Sequence, residues 1–458
     1  MSFLTQARPT LALALPIMAG QLSQMGIGLV DSAMVGHVSE LALAGAAFAI
    51  NVANIPTVFG IGAMSGLSVR VAQAQGAGDD KRTAELLRHG LWLSLALGLA
   101  ISLLMLALIP LLGHMGQSPA VVQEAKPFFT LLSVSVAPVI VGMAVKSFGD
   151  SMQQPWPPTL LFLASIPLTA FFNWVFVYGH LGFPAMGLTG SGVATLLARL
   201  IATGALLFWL FKAGRFAHVR PSRWRGRLSA QHARELSAVG LPAALQVGVE
   251  VGAFAVGALI VGALGQTALA AHQIAINCAA TMFMLPLGIA IATTVRIGNA
   301  IGARELGQVR AIGINSAVMG TAIMVFSGLN FWFFGRQIAS VFISEPAVID
   351  LATHLLIVAA IFQLCDGIQS TMAGALRGLS DAVVPMLVCL FGYWGLAIPL
   401  GYILTLKTPM GAPGMWWGFA LGLGIVSIAM CYRFAVRTRA HDLEEIAEHL
   451  PSEPVLAH

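Results

Sequence analysis

Long apolar runs separated by short polar breaks recur along the whole chain, and they constrain its fold more than any other feature. Runs of about 20 residues are long enough to cross a bilayer as a helix. Of the 458 residues, 57% are hydrophobic and 9% are charged, whereas soluble domains carry roughly 25% charged residues. We therefore predict an all-α integral membrane protein. Its twelve transmembrane helices are expected near residues 10–35, 43–69, 90–112, 122–147, 158–178, 189–211, 237–262, 268–295, 311–334, 348–375, 383–404 and 413–434.

Lysine and arginine are distributed unevenly between the two sides of these helices. If the amino terminus lies inside, all but four of the 24 Lys and Arg residues fall in inside segments. The exceptions are Lys126, Arg336 and Lys407 outside and Arg199 within a helix. Because inside loops carry an excess of positive charge, we predict a bacterial-type inner membrane protein with both termini cytoplasmic. The net charge of +5 does not indicate nucleic-acid binding, since the basic residues form no stripe with interleaved aromatics.

The two halves of the sequence are repeats of each other. ALAGAAFAIN at 42–51 resembles ALAAHQIAIN at 268–277, and the shift from position 42 to position 268 defines the repeat offset. The same offset aligns SVRVAQAQGA at 68–77 with TVRIGNAIGA at 294–303. Six predicted crossings in each half give both repeats the same orientation. We therefore expect two six-helix lobes related by a pseudo-two-fold axis along the membrane normal, with a central cavity between them.

The longest polar break, from Lys212 to Arg234, is basic and separates the two repeats. It divides the chain into four predicted parts. These are an amino-terminal six-helix lobe at 1–211, a basic cytoplasmic linker at 212–236, a carboxy-terminal six-helix lobe at 237–434 and a cytoplasmic tail at 435–458.

Three acidic residues, Asp31, Glu250 and Asp366, lie well inside predicted helices. An ionised carboxylate in hydrocarbon costs at least ~2.5–3.5 kcal/mol, so such a group faces a cavity, pairs with a cation or holds a proton. Apart from Arg199, no basic residue is predicted at comparable depth. We therefore predict that their partners come from solution, as protons, Na⁺ or a cationic substrate. The pair Glu250 and Asp366 would suit Na⁺, because hard cations prefer oxygen ligands. The alternative is a carboxylate that only bridges helices.

Amides and hydroxyls accompany these acids. Thr169 and Asn173 lie one turn apart on the fifth predicted helix and are candidate cation ligands. They serve Glu250 and Asp366 only if the lobes meet near the cavity, and otherwise they serve Asp31. Further amides are predicted to line the substrate cavity, with hydrogen bonds between helices as the alternative role. These are Gln24, Asn51, Gln246, Gln273, Asn277 and Gln363.

Two other features are predicted to be structural. The four cysteines lie in or beside apolar runs and are expected to pack without forming a disulfide. They are Cys278, Cys365, Cys389 and Cys431. The aromatic pair Trp416 and Trp417 is expected to anchor a helix at the outer membrane interface.

Three stretches of the chain resemble the multidrug and toxic compound extrusion (MATE) transporters. They are VDSAMVGHVSELALAG at 30–45, FNWVFVYGHLGFPAMGLTGSGVAT at 172–195 and FQLCDGIQSTMAGALRGLSD at 362–381. The resemblance extends over residues 10–435, and the acidic residues Glu250 and Asp366 are similar to those of the NorM branch. It implies a cofactor-free antiporter, not an enzyme, which expels organic cations while Na⁺ or H⁺ flows inward.

The resemblance also implies a role for individual residues. Asp31 corresponds to the cation or proton site of the amino-terminal lobe. Glu250 and Asp366 correspond to the cation site of the carboxy-terminal lobe. Gln273 and Asn277 fall where related proteins line the drug cavity.

The chain departs from the NorM pattern in the fifth helix. NorM-like members often carry two asparagines four residues apart, whereas here Thr169 precedes Asn173. The loop before this helix, FGDSMQQPWPP, also differs from the Gly-rich turn of the family. A hydroxyl is a weaker ligand than an amide carbonyl, so the choice between Na⁺ and H⁺ stays open.

Other transport functions agree less well with the sequence. A flippase for lipid-linked precursors would need a large basic cavity, whereas this one is predicted to be acidic and lined by amides. A channel is disfavoured by the repeats, which are typical of alternating access. No Gly-Lys dipeptide occurs in the sequence, so an ATP-driven pump with a Walker A loop is excluded. The expected partners are cationic amphiphilic small molecules, Na⁺ or H⁺ and the lipid bilayer, and we expect a monomer.

Overall fold

The computed structural model describes residues 3–221, 224, 226 and 228–448, with side chains described from residue 7 onwards. Every secondary-structure element in this part is helical, and twelve segments within it are long and apolar enough to cross a membrane. The predicted fold class is therefore confirmed. The helices are α1 Phe3–Gly36, α2 Glu40–Ala63, α3 Ser65–Gly76, α4 Asp80–Leu108, α5 Pro119–Ser151, α6 Trp156–Phe176, α7 Gly187–Lys212, α8 Ala230–Gly262, α9 Gln266–Gly302, α10 Leu306–Phe342, α11 Pro346–Gly378, α12 Val383–Leu390, α13 Ile398–Leu406, α14 Ala412–Arg437 and α15 Ala440–Glu448.

Two of the predicted parts extend beyond the described residues. Arg223, Arg225 and Arg227 of the predicted basic linker lie outside them, as do residues 449–458 of the predicted tail.

Two membrane spans are each built from two helices. α2 and α3 are separated only at Met64 and together form the span Glu40–Gly76. α12 and α13 are joined by a π-helical turn at Phe391–Ala397. Gly392 within this turn lies so close to α14 that a Cβ there would be 2.0 Å from Val426 Cγ2. The missing side chain therefore lets this span approach α14 closely.

Helix starts follow the capping residues of the sequence. Ser39 precedes α2, and its side chain accepts a hydrogen bond from the backbone N–H of Ala42 at 3.0 Å. Asp79 precedes α4 and accepts from the backbone N–H of Arg82 at 2.9 Å. Each oxygen satisfies a backbone donor that the first turn of a helix leaves unpaired.

The chain divides into two compact units. The first unit contains Met1–Met18, Ala72–Gly78 and Leu245–His458, and the second contains Ala19–Val71 and Asp79–Ala244. α1 and α8 therefore each run from one unit into the other. The change falls after residue 18 in α1 and after residue 244 in α8, and the repeat offset relates these two positions. The division into lobes at 1–211 and 237–434 remains a prediction from the order of the chain.

The repeat is visible in helix packing within each unit. In the first unit, a Cβ at Gly288 of α9 would lie 3.0 Å from Met18 Cα of α1. In the second unit, a Cβ at Gly62 of α2 would lie 2.9 Å from Ala244 Cα of α8. The repeat offset read from the sequence takes Gly62 to Gly288 and Met18 to Ala244, so the two contacts are equivalent.

A reciprocal contact joins the ends of α3 and α9 in the first unit. A Cβ at Gly76 would lie 2.1 Å from the backbone oxygen of Asn299, and one at Gly302 would lie 2.0 Å from that of Gln73. Asn299 Nδ2 donates a hydrogen bond to Gln75 Oε1. The predicted second and eighth helices were therefore too short at these ends, because polar side chains there find partners on the other helix.

The core of the first unit contains an aromatic cluster. Phe362 of α11 packs edge-on against Trp416 of α14, and Phe254 of α8 packs against Phe419 of α14. Trp416 is fully buried and donates a hydrogen bond from Nε1 to His272 Nδ1 at 3.2 Å. The predicted role of Trp416 as an interface anchor is therefore wrong, since its indole packs inward.

The second unit contains a buried ion pair. α5 packs against α2, α4 and α7. Near the end of α5, Lys146 Nζ donates to Asp150 Oδ2 at 2.6 Å, and each side chain is 2% exposed. The sequence placed Lys146 among the positive charges of the inside segments, but it lies within a helix and is paired one turn away.

Candidate cation and substrate sites

Asp31 lies on α1 in the second unit and is half-buried. Its carboxylate accepts hydrogen bonds from Asn173 Nδ2 at 2.5 Å and from Thr195 Oγ1 at 3.2 Å. Arg199, one turn after Thr195 on α7, lies close enough to interact electrostatically with Asp31, and it donates to Ser135 Oγ at 2.7 Å. Asn173 therefore serves Asp31, and Arg199 is the basic neighbour that the sequence left possible.

Two buried oxygens on α6 lack hydrogen-bond partners in the described part of the chain. They are Thr169 Oγ1 and Asn173 Oδ1, on side chains that are 1% and 0% exposed. Leaving a buried polar atom unpaired is costly, and hydroxyl and amide oxygens are ligands that hard cations accept. Asn173 therefore has an oxygen to offer a cation beside Asp31, whereas the role of Thr169 stays a prediction.

Glu250 lies on α8 in the first unit, where three donors meet one of its oxygens. Glu250 Oε1 accepts hydrogen bonds from Gln369 Nε2 at 2.7 Å and from Gln246 Nε2 at 3.0 Å. The thiol of Cys389 lies 3.4 Å from the same oxygen. Gln246, predicted to line the substrate cavity, is therefore engaged with the carboxylate on its own helix.

Asp366 lies on α11 and is 7% exposed. It interacts electrostatically with Glu250, so the charge on each of the two predicted Na⁺ ligands affects the other. Gln363, one turn earlier on α11, is fully buried, and neither its Nε2 nor its Oε1 has a hydrogen-bond partner among the described residues. This amide lies one turn from Asp366 on the same helix, and its place in the substrate cavity stays a prediction.

Three of the predicted cavity amides are exposed. Asn51 of α2 lies on the second unit, and Gln273 and Asn277 of α9 lie on the first. A polar group facing lipid at membrane depth costs free energy, so exposed amides in a spanning helix indicate contact with water. Gln24 is half-buried and donates to Gln21 Oε1 at 3.3 Å. Its place in the cavity stays a prediction.

Sequence reasoning missed four residues of these clusters. Arg377 of α11 was counted only among the inside positive charges, but it lies close enough to Glu250 to interact electrostatically with it. Thr195 contacts Asp31, and nothing distinguished it from other helical threonines. Gln369 follows Asp366 by one turn, and this spacing could have indicated a site residue. In the structure it donates a hydrogen bond to Glu250. Cys389 was read as a packing residue; like the other cysteines of the described chain it is free, but it also touches the carboxylate.

Comparison with known sequences extends this description. A family model described as MatE matches residues 16–175 and 242–403. The starts of the two matched segments, at 16 and 242, are related by the repeat offset. A probable multidrug resistance protein NorM from Bradyrhizobium diazoefficiens is 36% identical over 447 residues, covering 94% of this chain and 93% of that protein. Another from Xanthomonas campestris pv. campestris is 37% identical over 446 residues, with 95% of both chains covered.

Solved structures share the fold. The eukaryotic MATE transporter AtDTX14 superposes with a TM-score of 0.88 at 20% identity, covering 98% of this chain and 100% of that one. A multidrug resistance MATE family transporter of the MOP superfamily, in an outward-facing conformation, gives a TM-score of 0.87 at 20% identity, covering 96% and 97%.

Proposed function

Since the chain belongs to the MatE family, we propose that it is an antiporter that exports cationic amphiphilic molecules in exchange for Na⁺ or H⁺. The two cited relatives, matched over nearly their whole length, are described as probable multidrug resistance proteins NorM, and the chain is a multidrug efflux transporter of the inner membrane. The exchange, its ion and its substrates are the proposal.

The electrostatic proximity of Glu250 and Asp366 supports this proposal most strongly. Two like charges in a poorly solvated site repel each other. Arg377 offsets part of the charge of Glu250, and a further cation lets both carboxylates stay ionised. A proton, a Na⁺ ion or an organic cation can each relieve the repulsion. The same two groups therefore suit both the substrate and the coupling ion.

Competition for these charges provides the coupling. When Na⁺ or H⁺ neutralises the carboxylates, the organic cation loses its attraction and is released. Neither ligand binds strongly while the other occupies the site, which is a negative coupling between them. A membrane potential adds ~2.3 kcal/mol per 100 mV for each net charge moved.

The predicted cavity lining supports a cationic substrate over a lipid-linked anionic precursor. The exposed side chains that were predicted to line the cavity are the neutral amides Asn51, Gln273 and Asn277. An anionic headgroup would instead call for guanidinium or ammonium groups on that lining, whereas Arg199 and Arg377 interact with the acids Asp31 and Glu250.

The experiment that tests this function replaces the buried acid. Asp366→Asn should abolish drug resistance in cells while leaving expression and folding intact, because it removes a charge that both ligands use. The matched control is Asp350→Asn, since Asp350 is on the same helix but is 55% exposed and pairs only with an exposed arginine. An unaltered resistance profile for Asp366→Asn, at equal expression, would contradict the role of Asp366 in binding the substrate and the coupling ion.

The orientation and oligomeric state complete the proposal. We place both termini in the cytoplasm, because the sequence puts most Lys and Arg residues on that side, and we expect a monomer. A fluorescent protein fused after residue 458 should fold and fluoresce in the cytoplasm, whereas alkaline phosphatase fused there should be inactive. The opposite pattern would reverse the topology.

A further inference from the structure

We propose that Gln369 is a positioning residue for the cation site, holding one carboxylate oxygen of Glu250 and leaving the other free for the transported ion. The inference rests on the proposed function, in that it takes Glu250 to be an ion-binding group. It adds to that function the residue that fixes how this carboxylate is presented.

The contact is short and shielded from solvent. Gln369 Nε2 lies 2.7 Å from Glu250 Oε1, and the Gln369 side chain is 1% exposed. A hydrogen bond to an ionised carboxylate is stronger than one between neutral groups. Gln369 Nε2 also lies 3.4 Å from Cys389 Sγ, and this thiol lies 3.4 Å from Glu250 Oε1. The amide, the thiol and the carboxylate therefore form one closed set of contacts.

The donors are placed unevenly on the carboxylate. Gln369, Gln246 and Cys389 all contact Oε1 of Glu250. Their combined effect is to satisfy this oxygen and to fix the plane of the carboxylate. Oε2 is then the oxygen presented to an ion, in an orientation that is set before the ion arrives. Preorganisation of this kind strengthens binding because less freedom is lost when the ligand enters.

Gln369 also links the two acids mechanically. It follows Asp366 by one turn of α11, while Glu250 is on α8. The bond from Gln369 therefore ties the Glu250 carboxylate to the helix that carries the second acid. A shift of α11 along α8 would break this bond and move Asp366 away from Glu250 at the same time. Ion binding to both acids and formation of the Gln369 contact are thus expected to occur together.

The test measures the state of Glu250 without relying on transport. Purified protein is treated at neutral pH with dicyclohexylcarbodiimide, a lipid-soluble reagent that modifies protonated carboxyl groups, and the peptide containing Glu250 is quantified by mass spectrometry. Gln369→Met keeps the side-chain length and removes the donor. It should speed labelling of Glu250 by about tenfold, since the lost bond stabilises the ionised form. In the same variant, the Na⁺ concentration that half-protects Glu250 should also rise about tenfold.

Two further variants separate positioning from a general packing role. Thr371→Val alters a fully buried residue of the same helix. Among the described residues its hydroxyl bonds only to backbone oxygens of that helix, so Glu250 in this variant should be labelled at the wild-type rate. Gln369→Asn keeps the amide but shortens it by one methylene, and it should behave like Gln369→Met. It also replaces that variant if the methionine protein does not fold.

The outcomes are distinct. Unchanged labelling of Glu250 in both Gln369 variants, or an equal change in Thr371→Val, overturns the positioning role. Labelling of wild-type Glu250 that neither Na⁺ nor an organic cation slows would refute Glu250 as an ion site, and with it the proposed function. The comparison of labelling rates between Gln369→Met and wild type would still decide whether Gln369 holds the carboxylate.

Discussion

The buried ion pair of α5 gives a prediction about stability. Lys146→Met removes the cation and leaves Asp150 in a site where both side chains are 2% exposed. The other oxygen of that carboxylate, Asp150 Oδ1, already lacks a hydrogen-bond partner in the described structure. The variant should therefore be strongly destabilised, although Lys146 lies outside the proposed cation sites.

The expected magnitude follows from burial. Breaking a buried pair by removing one partner costs about 3–5 kcal/mol, because an uncompensated charge remains in a poorly solvated site. A loss of this size lowers the melting temperature by on the order of 10 °C. The double variant Lys146→Met with Asp150→Asn removes both charges, and it should recover most of the loss.

The matched control is an ion pair of similar length on the surface. Arg336 Nη1 lies 2.5 Å from Asp350 Oδ1, but the side chains are 65% and 55% exposed. Exposed pairs contribute about 0–1 kcal/mol, so Arg336→Met should melt within a few degrees of the wild type.

The assay is the loss of folded monomer in detergent, followed by size-exclusion fluorescence after heating. Equal melting temperatures for Lys146→Met and Arg336→Met would refute the reasoning. So would a double variant that is no more stable than the single one.

Three further predictions concern packing and coupling. Gly302→Ala should lower the free energy of unfolding by about 1–3 kcal/mol or more, because the added Cβ would lie 2.0 Å from the backbone oxygen of Gln73. The control Gly307→Ala adds its Cβ in open space and should have the melting temperature of the wild type. Ethidium binding should weaken as pH falls from about 8 to about 5.5, because protonation removes the negative charge that attracts the dye; binding that stays flat at fixed Na⁺ would contradict this. Thr169→Asn should strengthen the Na⁺ dependence of efflux if Thr169 lies near the ion, and efflux that ignores Na⁺ in both proteins would make H⁺ the coupling ion.

The membrane fold was predictable because it depends on features that are local in sequence. Hydropathy located the twelve spans, and the repeat offset reappears in the packing of Gly62 against Ala244 and of Gly288 against Met18. The sequence did not predict that α1 and α8 would each run from one unit into the other. This arrangement depends on which helix faces meet, and hydropathy carries no information about that.

The candidate sites were predictable only in part, for the same reason. A carboxylate inside an apolar run is conspicuous because placing its charge in the membrane costs free energy. This cost alone identified Asp31, Glu250 and Asp366. Their neighbours come from helices far apart in sequence, such as Thr195 at Asp31 and Gln369 at Glu250. A polar residue in a helix gives no sign of which distant acid it meets.

The same limit explains the misread tryptophan and cysteine. Trp416 stands at the start of a span, where a belt position is the usual inference, yet its indole faces His272 in the core. Cys389 has the surroundings of a packing residue in sequence, and only the fold brings its thiol to Glu250.

Uphill transport in proteoliposomes tests the central claim most directly. Purified protein is reconstituted, and ethidium is supplied at equal concentration on both sides of the membrane. Either a Na⁺ gradient or a pH gradient is imposed, while an ionophore collapses the other. The account predicts net movement of ethidium opposite to at least one ion gradient, and no net movement when both gradients are collapsed. Ethidium that stays at equal concentration on both sides under either ion gradient would contradict antiport.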